Sequence, residues 1–183
     1  MPLNKDDIAM GSGLNFENVV AAYYEPLYQF AFGLTRAEAD ACDLTQQTFY
    51  VWATKGHQLR DQTKVKTWLF TTLHRAFLES RRRQVRFPHF ELEEVPLDLP
   101  TLSPASINQL DSAQVLEALS QVEQIYQAPV ALFYLEDCPY KEIAEILDIP
   151  IGTVKSRMAR GIAQLKSILT RGDRESHREK HND

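Results

Sequence analysis

Apolar residues recur every three to four positions through most of the chain, which is the spacing of amphipathic helices. The first such segment follows Asn15, a residue suited to cap a helix N-terminus, and contains Pro26. A second segment covers 41–52, and a third begins near Val65. The same period returns from Asp111 onward. The pattern predicts an all-α protein.

The period disappears between residues 87 and 110. A stretch of about two dozen residues without a helical pattern indicates a boundary between domains. Proline keeps such a stretch extended, and acidic residues accompany the prolines here. We therefore expect two small helical domains at 15–86 and 111–170, joined by an extended acidic linker at 87–110. The charge-rich segment 171–183 is expected to be a disordered tail. A single fused globule would contradict this organisation.

The second domain contains two helical patterns around a short break. Residues 140–147 carry one apolar face, and 148–152 interrupt the period with a proline and a glycine. A second helix is expected from about Thr153. Pro129 indicates the start of the preceding helix, because proline is tolerated in a first turn. Two short helices around a tight turn are typical of a helix-turn-helix DNA-binding motif.

The second helix of this motif separates its side chains clearly. Apolar residues form a stripe that we expect to be buried, namely Val154, Met158, Ile162 and Leu165. The opposite face carries hydroxyl and basic groups, which can contact bases or phosphates in a major groove. A solvated basic face is the alternative interpretation. The candidate DNA-binding residues are Thr153, Lys155, Ser156, Arg157 and Arg160.

Charge and composition limit the possible functions. The 183 residues carry a formal net charge of −5 and a pI of about 5.6, whereas a protein that binds DNA unaided usually has a basic domain. We therefore expect the chain to contact DNA as part of a larger complex. It has no long apolar run and no signal-peptide core at its start, so we expect a cytoplasmic protein without membrane insertion.

The residues used for catalysis and metal binding show no recognisable spacing. Cys42 and Cys138 lie in separate halves of the chain and match no zinc motif, and the five histidines are scattered. We therefore expect no enzyme activity, no cofactor and no metal site.

Two segments resemble bacterial RNA polymerase sigma factors of the extracytoplasmic-function (ECF) type. The sequence Tyr-Lys-Glu-Ile-Ala-Glu-Ile-Leu, followed by Ile-Gly-Thr-Val-Lys-Ser-Arg, within 140–157 is similar to their last region. The sequence Asp-Leu-Thr-Gln-Gln-Thr-Phe at 43–49 is similar to their most recognisable segment. Response-regulator output domains carry a looser version of the first motif. Motifs in the expected order across 16–169 favour the sigma factors.

The resemblance implies that the helix containing residues 43–49 docks on the clamp coiled coil of the polymerase β′ subunit. From spacing alone, a solvated face is the favoured interpretation of its polar side. Cys42 stands where the family usually has an acidic residue, which implies a less charged interface. The second domain is implied to contact the flap of the β subunit. The resemblance assigns polymerase binding to Asp43, Gln46, Gln47 and Tyr50.

The third helical segment resembles the promoter-melting region of the family. There, the loop before Trp68 and the helix that follows it are implied to hold an unstacked base of the non-template strand. Arg75 stands where the family commonly has Asn, so the preferred base is left open. A solvated basic helix end is the alternative for the arginines after residue 80. The candidates are Leu59, Arg60, Lys64, Lys66, His74, Arg75, Arg81 and Arg82.

The resemblance as a whole implies a sigma factor for transcription initiation. Such a protein binds core RNA polymerase, recognises the −35 and −10 promoter elements and melts DNA with binding free energy alone. Its expected partners are the polymerase core, promoter DNA and an anti-sigma factor. The competing hypothesis is a dimeric helix-turn-helix transcription regulator with a sensing N-terminal domain.

Overall fold

The protein's structure, a computed structural model, describes residues 15–84 and 112–179, with side chains at 15–83 and 115–170. The expected linker therefore lies almost wholly outside the described residues. Within these ranges the chain forms seven α-helices and no strand. They are α1 (Phe16–Thr35), α2 (Glu38–Lys55), α3 (Val65–Gln84), α4 (Ser112–Leu119), α5 (Gln124–Glu136), α6 (Tyr140–Leu147) and α7 (Ile151–Glu179).

Helices α1 to α3 form an N-terminal unit. Asn15 caps α1 as predicted, because its side chain accepts a hydrogen bond from the Glu17 amide. Phe30 and Phe70 are fully buried, with their ring centroids 5.4 Å apart, and join α1 to α3. Two 3₁₀ turns, Gly56–Gln58 and Gln62–Lys64, connect α2 to α3. The turns bring the loop residues close to the N-terminus of α3.

Helices α4 to α7 form a C-terminal unit that contains the predicted helix-turn-helix. Asp148 ends α6 in the left-handed conformation, with φ of 56°, and its amide donates to the Ala144 carbonyl. Helix α7 begins at Ile151, two residues before the expected position. The predicted apolar stripe of α7 is confirmed as buried, with Val154, Met158, Ile162 and Leu165 at most 6% exposed.

Two helix boundaries differ from the sequence expectations. Helix α5 begins at Gln124, so Pro129 lies inside it and the prediction that Pro129 starts the helix is wrong. The start of α5 is stabilised from outside, because buried Gln127 donates to the carbonyls of Leu119 and Val122. Helix α7 continues to Glu179, where composition predicts a disordered tail. Arg and Glu, which recur in this extension, are good helix formers and favour it.

The all-α class with a C-terminal helix-turn-helix is confirmed, but the two units are not held apart. Helix α1 packs on α4 and α5, and α3 packs on α6. The Arg36 guanidinium donates to the Val122 carbonyl at 3.4 Å, and Arg81 donates to the Gln124 side chain at 2.9 Å. Buried apolar residues of both units form one continuous cluster. Each unit therefore covers part of the other, so the two predicted helical domains pack directly against each other within the described residues.

Candidate polymerase and promoter interfaces

One face of α2 is polar and open to solvent. Asp43, Gln46, Gln47 and Tyr50 are all exposed, and Tyr50 retains 71% of its accessible surface. The opposite face packs into the N-terminal unit through residues such as Leu44 and Trp52. Tyrosine is enriched at protein interfaces, because its side chain combines apolar ring area with a polar hydroxyl. The structure thus brings the four predicted polymerase-binding residues onto one surface.

A cavity of about 320 Å³ adjoins this polar face. Its lining includes Asp43 and Gln47 from α2 together with Glu79, Arg81 and Arg83 from α3. The arginine run therefore lies beside the predicted polymerase-binding residues. The Arg83 guanidinium also pairs with the Glu79 carboxylate at 2.5 Å, one helical turn back along the exposed end of α3.

A second cavity, of about 360 Å³, lies at the loop between α2 and α3. It is lined by Phe16, Trp52, Gly56, His57 and Leu59, among others, so Leu59 is the one predicted residue found there. Gly56 leaves room for the indole, since a Cβ at this position would lie 2.6 Å from a ring atom of Trp52. Trp52 in turn meets Trp68 edge to face, with centroids 5.2 Å apart. Apolar walls beside polar loop atoms suit a nucleic-acid base.

Four predicted downstream residues contact polar groups of the C-terminal unit, namely Lys64, Lys66, Arg75 and Arg81. The Lys64 ammonium lies 2.8 Å from the Glu145 carboxylate, and the hydrogen bond raises the pKa of Lys64 and lowers that of Glu145. Lys66 donates to the backbone carbonyl of Glu136. Arg75 lies 3.8 Å from the Asp148 carboxylate, with both side chains largely exposed. Arg81 donates to Gln124, and the remaining arginines, Arg60 and Arg82, are exposed.

His74 is buried between the two units and retains only 9% of its accessible surface. Burial, with a smaller contribution from the positive charges of Arg157 and Arg75, lowers the pKa of His74 to about 4. The imidazole is therefore neutral at pH 7. The predicted downstream residues do not form one open surface, because part of the set faces the helix-turn-helix.

The predicted upstream residues also differ in exposure. Lys155 is exposed, whereas Thr153, Ser156 and Arg160 are half-buried. The Ser156 hydroxyl donates to the Thr153 carbonyl at 3.0 Å, one turn back along α7. Arg157 is also half-buried, its Nε is buried without a hydrogen-bond partner among the described residues, and burial lowers its pKa. Arg157 therefore faces the N-terminal unit as well as the side of α7 that is predicted to bind the major groove.

Sequence reasoning missed the acidic residues that meet the downstream surface. They are Glu136, Glu142, Glu145 and Asp148. The sequence pattern placed these residues on or beside helices. The spacing of α6 does not show which part of the protein contacts its outer face. Gly56 was also missed, since its role depends on the position of Trp52.

The part of the chain that the structure describes holds no group of three or more residues placed to bind a metal ion. Among the helices of that same part, none combines the length and apolar character needed to cross a membrane.

Comparisons with known proteins identify both units. The family profile "Sigma-70 region 2" matches residues 19–87, and "Sigma-70, region 4" matches residues 112–165. The chain is 26% identical to the ECF RNA polymerase sigma factor SigM of Bacillus subtilis over 87% of its own length and 98% of SigM. It is 29% identical to the ECF RNA polymerase sigma factor SigE of Mycolicibacterium smegmatis, over 93% of this chain and 66% of that protein.

A solved structure supports the fold. The sigma factor RpoE of Bartonella quintana, crystallised with the anti-sigma factor NepR, superposes with a TM-score of 0.66. The match covers 85% of this chain and 96% of RpoE at 24% identity. Since the two profiles together cover about two thirds of the chain in the family's order, the chain belongs to the sigma-70 family of RNA polymerase sigma factors, and to its extracytoplasmic-function type.

Proposed function

We propose that this chain acts in transcription initiation by recruiting core RNA polymerase to a promoter whose two elements it recognises. The observation that carries this proposal is the presence of regions 2 and 4 in order on one chain. A helix-turn-helix alone would be equally compatible with an ordinary regulator. A region 2 in place of a sensing domain disfavours the dimeric regulator.

Polymerase docking is assigned to the open face of α2. Asp43, Gln46, Gln47 and Tyr50 present one carboxylate, two amides and a phenol on a single surface. This chemistry suits a mixed polar and aromatic interface against the clamp coiled coil of β′. Region 4 would contact the β flap, as the family resemblance implies.

Promoter recognition is divided between the two units. Lys155 and Arg160 on α7 would contact the −35 element together with Thr153, Ser156 and Arg157, because this helix carries the hydroxyl and basic groups of the helix-turn-helix. The cavity at Leu59 and Trp52 would receive an unstacked base of the −10 element. Lys64, Lys66, His74, Arg75 and the arginines Arg60, Arg81 and Arg82 would hold its backbone. No covalent step is required, since melting uses binding free energy.

The domain boundaries and the partner list complete the proposal. Region 2 would occupy 15–86 and region 4 would occupy 111–170, with 87–110 as the linker. An anti-sigma factor is a further proposed partner, because the superposing RpoE was crystallised with one. Work beside polymerase and chromosome would place the protein in the cytoplasm.

Co-elution with purified core RNA polymerase tests the proposal against its rival. A sigma factor should elute with core in a one-to-one complex on size exclusion. A dimeric regulator should elute as a dimer that is unchanged by core and that binds a palindromic DNA site. Elution apart from core at micromolar concentrations of both would refute the proposed function.

A further inference from the structure

The cavity of about 320 Å³ beside the polar face of α2 has one wall from α2 and another from the C-terminal end of α3. Asp43 and Gln47, which we assign to polymerase docking, lie on the first wall, and Glu79 and Arg83 lie on the second. All four residues are exposed. A partner that covers Asp43 and Gln47 therefore also comes close to the two charged groups on α3.

The arginine run at the end of α3 does not point in a single direction. Successive residues of a helix are about 100° apart, so Arg82 and Arg83 project to different sides. Arg83 lines the cavity, whereas Arg82 is exposed and does not line it. Arg82 instead follows Arg75 by two helical turns, on the face that we assign to the promoter backbone. The run is thus divided between two faces of α3.

The α3 wall of the cavity offers one anionic and one cationic group side by side. The Glu79 carboxylate and the Arg83 guanidinium form an ion pair at 2.5 Å, yet their side chains remain 59% and 77% exposed. Both ends of the pair are therefore accessible to a partner. Arg81 also lines the cavity, but its guanidinium donates to Gln124 of region 4 at 2.9 Å.

The charges of the cavity disfavour DNA as the occupant. Asp40, Asp43 and Glu79 all line it, so acidic side chains outnumber the two arginines there. A phosphate backbone would be repelled by these carboxylates. A protein surface that carries charged groups of both signs is complementary to the same lining.

From this arrangement we infer that the polymerase-binding surface extends from α2 across the cavity to Glu79 and Arg83, while Arg82 serves the promoter. The inference rests on the proposed function of the α2 face, and its partner is the same clamp coiled coil of β′. Glu79 and Arg83 lie at the rim of that contact. Exposed rim charges contribute more to partner choice and association rate than to affinity.

Two neighbouring substitutions that remove the same charge test the division. Arg83→Ala should weaken the binding of labelled core polymerase about threefold, mainly through slower association, because a single exposed charge contributes little. Arg82→Ala should lose less in this titration. The preformed holoenzymes are then titrated with a random-sequence single-stranded oligonucleotide library, at core concentrations that keep both variants bound. Here the order should reverse, because Arg82→Ala removes a phosphate contact.

A swapped pair separates recognition from helix stability. Glu79→Arg with Arg83→Glu keeps two opposite charges one turn apart on α3, but it exchanges the charges that the partner meets. The swapped variant should bind core at least as weakly as Arg83→Ala, whereas its midpoint of urea denaturation should match that of the wild-type protein. Core binding equal to wild type would show that the pair serves only α3, and the inference would be wrong.

The same order of the two arginine variants in both titrations would also overturn the inference. Asp43→Arg is assayed in parallel, so that the proposed function is tested separately. If Asp43→Arg weakens core binding and Arg83→Ala does not, α2 still docks on polymerase and only the extension to α3 is refuted. If the wild-type protein does not bind core at all, the proposed function fails and the inference fails with it.

Discussion

The polar face of α2 and the basic face of α3 are neighbours in the same unit, yet one is open and the other is partly covered. Both faces have helical spacing and both match the family. On α2, the four predicted residues are exposed. On α3 and the turn before it, Lys64 and Lys66 meet carboxyl-bearing residues of region 4, and His74 is buried. Helical spacing shows which side chains point away from their own helix bundle. It does not show whether another part of the protein covers those side chains.

The largest effect is expected at the open face. Asp43→Arg reverses a charge at the centre of the proposed β′ contact, and should weaken core binding about a hundredfold because an unmatched charge at an interface costs several kcal/mol. A binding titration with labelled core measures this. Glu38→Arg, on another side of the same helix, is the matched control and should bind normally. Unchanged binding by Asp43→Arg would remove that residue from the interface.

The loop between the two faces should be sensitive to one added methyl group. Gly56→Ala places a Cβ against the Trp52 ring, and the forced repacking should lower the free energy of unfolding by about 1–3 kcal/mol. Gly152→Ala is the control, because nothing lies within 4 Å of its added Cβ. Urea denaturation compares the two. Equal stability of both variants would show that the loop moves away from Trp52 without cost.

The recognition helix gives an effect that depends on sequence. If the Arg160 guanidinium contacts a base edge, Arg160→Ala should weaken the free energy of DNA binding by roughly 1–3 kcal/mol. The loss should depend on one base pair, and the sequence preference at that base pair should relax. Lys155→Ala should instead weaken binding about equally on all sequences, as expected for a phosphate contact. Holoenzyme titrations on a set of single-base promoter variants separate the two. Uniform loss for Arg160→Ala would make it a phosphate contact as well.

The smallest predicted effect is the response of the covered face to pH. His74 titrates at about 4 when packed and near its ordinary 6.5 when the regions separate, so the separated form takes up the proton first. The free energy that favours the packed form over the separated form is therefore fully present above pH 6.5. It decreases as the pH falls from there toward 4, by about 1 kcal/mol at pH 6. The groups that face His74 with charge are Arg157 and Arg75.

X-ray scattering of the free protein between pH 8 and pH 6 measures this response as an increase in the radius of gyration. His74→Gln should abolish the response, whereas His57→Gln, at an exposed position, should keep it. An identical pH response in both variants would assign the titration to another group.

Much of the fold followed from the sequence because helical period and caps are local. The Asn15 cap, the apolar stripe of α7 and the presence of a break between α6 and α7 were all predicted from a few adjacent residues. The prediction that Pro129 starts a helix failed because Gln127 stabilises the preceding turn. Its side chain donates to carbonyls five and eight residues earlier in the chain. The packing of region 4 on region 2 could not be predicted, since Lys64 and Glu145 are 81 residues apart and their pairing depends on the whole fold.

The candidate site was predictable to a similar extent. The residues of α2 required only a motif and a helical face. Predicting that Lys64, Lys66 and His74 are covered would have required knowing which acidic helix lies opposite them. The family resemblance implied only their role when DNA is bound. The helical spacing of each segment, taken separately, cannot predict how two helices contact each other.

In vitro transcription with purified core polymerase on a promoter library tests the central claim most directly. The chain should direct initiation at a subset of templates that share two short elements at a fixed spacing, and core alone should not. Loss of this activity in Asp43→Arg would link it to the α2 face. Transcripts that are the same in number and start site with and without the chain would contradict its role as a sigma factor.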